Sequence, residues 1–157
     1  MIGLIHRFFK GLAVLGAVSF GFAALATIAD IILRITGVGL RGVVDYVQLF
    51  VMSGAFLAMP YTFLVQGHVR VELVLDMLSS PLRKVMAVAA SVLVLGMVAS
   101  LTASNYDGLM RVIESNDISL NIGLPMAYYW APVVLGLGLS ILAVLVLIYE
   151  ILTNKTI

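Results

Sequence analysis

Charged side chains cut this 157-residue sequence into four long stretches without Asp, Glu, Lys or Arg: residues 11–29, 46–67, 85–106 and 118–149. A chain divided in this way has few options. A bilayer crossing needs roughly 20 predominantly apolar residues. An open strand would leave its backbone groups unpaired in lipid, so each crossing has to be a helix. Composition points the same way, with 62% apolar and 11% charged residues, against about 45–50% and about 25% in soluble domains. The expected fold is an all-α membrane protein of four transmembrane helices in one domain, with spans near 11–33, 43–67, 81–107 and 126–150. Little chain is left for a soluble catalytic domain, so the reading is not an enzyme.

The boundaries carry local signals. Arg7 and Lys10 precede the first apolar stretch, and Ala24-Leu25-Ala26 resembles a signal cleavage site. The uncharged run of 11–29 is longer than the roughly 7–15 residues of a cleaved signal, so a retained first span is expected. Ser80-Pro81 reads as N-cap and first helical position of the third span. The stretch 118–149 is too long for one crossing. Gly123 and Pro125 mark a turn, and Tyr128, Tyr129 and Trp130 suit a membrane interface. The last helix therefore starts near Pro125, with Pro132 in its second turn as a bend or an irregular start, and Pro60 makes a kink in the second span. Between the second and third spans, residues 68–78 mix apolar and charged side chains and are expected to form a short interfacial helix.

Orientation follows from Lys and Arg in the short loops. Arg7, Lys10, Arg70, Arg83, Lys84 and Lys155 fall on one side, and Arg34, Arg41 and Arg111 on the other. Six against three places both termini in the cytoplasm, with His68, Arg70, Arg83 and Lys84 at the cytoplasmic interface.

No ionisable side chain falls in the middle of a span, although proton relays and ion pathways usually need one there. Small residues recur every four positions, most extensively at Gly96, Ser100 and Ser104. Such a stripe lets helix backbones approach, within the chain or against another subunit. Asp30 with Arg34, and Arg41 with Asp45, stand four apart on helix faces and can pair. They serve as an ion-pair collar or as docking contacts for a partner on the outer face. His68 has no carboxylate or second His at metal-ligand spacing, the chain has no cysteine, and no phosphate loop or catalytic motif is present. No metal, cofactor or nucleic-acid partner is expected.

Three stretches together resemble a known family. They are Ile32-Leu33-Arg34 with Gly42-Val43-Val44-Asp45-Tyr46, then Gln66-Gly67-His68-Val69-Arg70-Val71-Glu72-Leu73, then Ile122-Gly123-Leu124-Pro125 followed by Ala131-Pro132-Val133-Val134-Leu135-Gly136. Their order and spacing are similar to the small, DctQ-like membrane subunit of tripartite ATP-independent periplasmic (TRAP) transporters, over about Gly11 to Leu152. One departure is the lone Asp45, where many members carry a Glu-rich start to the second helix. The resemblance implies a non-catalytic scaffold in a bacterial inner membrane. It would pair with a large elevator-type membrane subunit holding the substrate and sodium sites, fed by a periplasmic binding protein, commonly for organic acids. The competing readings are a self-contained homo-oligomeric four-helix carrier or channel, and a signalling or assembly-factor protein.

Overall fold

The computed structural model describes residues 2–66 and 80–153. It contains α1 (Ile2–Ile35), α2 (Val43–Gln66), α3 (Ser80–Ser115) and α4 (Ala127–Leu152). All four are long and apolar enough to cross a membrane. Each expected span falls on a helix, and two of the helices extend beyond the expected span. α1 starts at Ile2 and not near residue 11, and α3 continues to Ser115, past the expected end near 107. A helix stops where its backbone is capped, not where hydrocarbon ends. For α1 the stop is Gly37 at φ 86°, with Val38 N donating to Leu33 O. For α3 it is Asn116 at φ 52°, with Asp117 N donating to Val112 O. Both are left-handed caps with the six-to-one bond that closes off the last carbonyls. α4 runs unbroken through Pro132 and α2 through Pro60. The expected interfacial helix over 68–78, with His68 and Arg70, lies outside the described residues.

The helices form a row: α1 packs on α2, α2 on α4, and α4 on α3. α4 is therefore interior, and its Val133, Leu137, Ser140, Val144, Leu147 and Ile151 are buried. α1 and α3 are the edges of the row. Burial along each edge helix follows alternating steps of four and three. On α1 the inward residues are Phe9, Leu12, Gly16, Ser19, Ala23, Ala26 and Asp30; on α3 they are Val88, Ser91, Leu95, Val98, Thr102 and Asn105. That 3.5-residue period is the seam of left-handed helix packing.

Close approach at the seams depends on missing side chains, as expected where lipid supplies no hydrophobic drive between helices. A Cβ on Gly16 would lie 2.6 Å from the Gly54 carbonyl, and one on Gly54 would lie 2.9 Å from the Gly16 carbonyl. Ser19 Oγ donates to Phe50 O at 2.8 Å across the same crossing. Between α2 and α4 the arrangement is more particular. Pro60 has no N–H, so the helical partner of the Phe56 carbonyl is missing. Gly136 of α4 sits against that carbonyl, which a Cβ there would strike. The bare α-carbon can offer a weak C–H···O contact to an oxygen that lipid cannot satisfy.

Candidate functional site

Among the described residues, the carboxylates and basic side chains gather toward the two ends of the row. One end holds the α1–α2 turn and the α3–α4 loop. Asp30, 7% exposed, accepts from Arg34 Nε at 2.7 Å and from the Leu40 backbone N–H at 2.9 Å. The expected Asp30–Arg34 pair forms, and its carboxylate also ties the incoming loop to the end of α1. The Arg41–Asp45 pair does not form. Asp45, also 7% exposed, turns inward and accepts from Ser119 Oγ and from Asn121 Nδ2, the latter at 2.9 Å. The reason is competition: a carboxylate at the first turn of α2 meets two fixed neutral donors in a protein-lined site, whereas Arg41 is exposed and free to face water.

The α3–α4 loop is shaped to deliver those donors. Ser119 N donates to Leu124 O at 2.8 Å, Gly123 N returns to Ser119 O at 3.0 Å, and Met126 N reaches Asp117 O at 2.9 Å. Gly123 is at φ 69°, a turn conformation that needs no Cβ. Ile122 lies over Gly42, which is itself at φ 74° and where a Cβ would collide with it. Asp45 is thus a clasp between the start of α2 and a loop more than seventy residues away.

The opposite end carries His6, Arg7, Lys10 and Lys84. His6 Nε2 lies 2.8 Å from Glu150 Oε1, so α1 and α4 meet there. Lys84 Nζ donates to the Leu152 carbonyl at 3.0 Å, tying α3 to the last turn of α4. The start of α1 and the end of α4 therefore lie at one end of the row. Of the expected interfacial residues, Lys84 is placed here; the Arg83 side chain, His68 and Arg70 are outside what is described. Neither His6 nor Glu150 stood out in the sequence. Each is a lone ionisable residue near a helix end, and 144 positions separate them.

The small-residue stripe of α3 is turned away from the other helices. Ser100 and Ser104 are exposed, and nothing lies within 4 Å of a Cβ placed on Gly96. Leu93 and Met97 beside it are exposed as well. The stripe therefore does not serve packing within this chain. Gly108 does: the Trp130 ring of α4 occupies its missing side chain at 2.5 Å from the Cβ position.

Among the described residues no group of three or more His, Asp or Glu side chains could hold a metal. The arrangement offers clasps, capped loops and an unpartnered helix face. It brings no nucleophile, base and oxyanion donor together.

A family model described as "Tripartite ATP-independent periplasmic transporters, DctQ component" matches residues 14–154. No curated protein and no solved structure matches the chain.

Proposed function

Given that the chain belongs to the DctQ family, a multi-pass membrane component of tripartite transporters, we propose that it is the non-catalytic scaffold subunit of a sodium-driven uptake system for organic acids. It pairs with a large elevator-type membrane subunit and works with a periplasmic binding protein. It lies in the inner membrane with the Arg7, Lys10 and Lys84 end in the cytoplasm, following the excess of basic residues there.

The observation that carries the reading is where the polar groups are. The described ionisable side chains lie near the helix ends, and the principal polar contacts join one helix or loop to another. A carrier would instead need groups near the midplane that bind a substrate and release it. The open row supports the same reading, because an edge helix with a free face suits a subunit completed by another chain.

Within this proposal, Gly96, Ser100 and Ser104 form the face that meets the large subunit. At the other docking surface, Arg34 and Arg41 present their guanidinium groups outward, while Asp30 and Asp45 act by holding the turn and loop around them. Reconstitution decides the central point. The chain alone in liposomes should move no organic acid under a sodium gradient, and the chain with its large subunit and binding protein should. Sodium-coupled uptake by the chain alone would refute the scaffold role.

A further inference from the structure

The basic end of the row holds a groove of about 1650 Å³ between the first turns of α1 and the C-terminal half of α4. The scaffold role makes no use of it. Its charged lining is His6 and Glu150, which meet, and Arg7 next to His6 in sequence. Glu150 is 3% exposed; His6 engages Oε1, while Oε2 is buried with no hydrogen-bond partner among the described residues. A buried carboxylate oxygen without a donor is a standing demand for one. Arg7, the next residue of α1 after His6, is exposed and also lines the groove, with Lys10 one turn further along.

The rest of the groove is apolar. Leu139, Leu142, Leu145 and Val146 line it from α4, and Leu4 and Phe8 from α1. Leu139 is eleven residues from Glu150 along the helix, about 16 Å at 1.5 Å per residue. That is about half of a hydrocarbon core roughly 30 Å thick. The groove therefore has the depth of one leaflet, a basic rim, and one acidic acceptor at the rim. A helix from another subunit would be expected to need a trench across both leaflets.

We propose that this groove binds one phospholipid whose headgroup ends in a primary ammonium. Its ammonium donates to Glu150 Oε2 after a small side-chain adjustment, its phosphate lies against Arg7, and an acyl chain follows Leu139, Leu142 and Val146. A choline headgroup has no N–H to give, and a glycerol headgroup has no charge to offset the carboxylate. The inference needs membrane insertion alone and not the transport role, and its readout is bound lipid, so the two can fail separately.

The test uses the full chain taken from vesicles containing equal parts of phosphatidylethanolamine, phosphatidylglycerol and phosphatidylcholine. Native mass spectrometry should find one retained phosphatidylethanolamine, favoured over phosphatidylcholine roughly tenfold, the scale of one charge-assisted hydrogen bond. Glu150→Gln should abolish most of that preference. Leu142→Trp, which fills the trench and leaves the carboxylate intact, should release the lipid, and it decides the matter alone if Glu150→Gln does not fold. Equal retention of the three lipids by the wild-type chain, or an unchanged preference in Glu150→Gln, would overturn the proposal. So would lipid retention in Leu142→Trp at the wild-type level. A photocrosslinker at Leu142 that captured the large subunit in place of lipid would show the occupant to be protein.

Discussion

At the scale of single residues, the carboxylates decide which loops are fixed. Asp45 holds the side chains of Ser119 and Asn121 and the backbone N–H groups of Asn121 and Ile122, and Ile122 also packs over Gly42. Replacing Asp45 by Asn keeps the shape and removes the charge that strengthens these bonds. Amide exchange at Asn121 and Gly123 should then rise roughly tenfold, while the helix amides of α4 stay protected. Unchanged exchange across the loop would show that the clasp is dispensable. Asp45 was noticed in the sequence for its charge at a helix start, and Arg41 four residues earlier offered the obvious partner. Its actual partners are invisible there, because nothing local connects residue 45 to residues 119 and 121. The same limit hid Glu150 and His6. By contrast the Asp30–Arg34 pair was legible, since both residues lie on one helical turn and need no tertiary information.

At the scale of helices, the spans and their approximate places follow from charge-free length alone, and the structure contains all four. Where α1 and α3 end is a separate matter, because hydropathy measures preference for lipid and says nothing of where a helix is capped. The packing seams were half legible. Small residues four apart on α1 are no guide to its seam: Ala17 and Gly21 are exposed, and the seam uses Gly16, chosen by the 3.5-residue period of the pair. Gly136→Val should be the most damaging small change in α4, because its side chain would enter backbone and not a yielding side chain. A cost of about 1–3 kcal/mol is expected from overpacking, read as earlier unfolding in denaturant titration. Gly138→Val, where nothing lies within 4 Å of a Cβ, is the matched control and should be close to neutral. Because the chain has no cysteine, paired cysteines introduced across α2 and α4 can report the separation directly.

At the scale of the whole molecule, the row leaves α1 and α3 each with a face that none of the other described residues covers. α3 is the longer, 36 residues or about 54 Å, against a hydrocarbon core of roughly 30 Å. Its length exceeds one crossing, and its last turns carry the exposed Arg111 and Glu114. Gly96→Leu tests the free face. The chain's own stability should change by less than about 0.5 kcal/mol, as at an open surface position, while recovery of the large subunit on co-purification should fall several-fold. A stability loss without a change in recovery would place the stripe in internal packing after all. Neighbour relations such as these are set by tertiary contacts, and a list of spans does not contain them.

Pro60 and Gly136 lie on different helices, yet each gives the other its reason to be there. The proline strips a donor from the Phe56 carbonyl, and the glycine is the residue small enough to close over that oxygen. They should therefore be inherited as a unit. In relatives where position 60 regains an N–H, the carbonyl is satisfied within its own helix, and position 136 is released to drift toward larger residues. Where the proline stays, the glycine should stay with it.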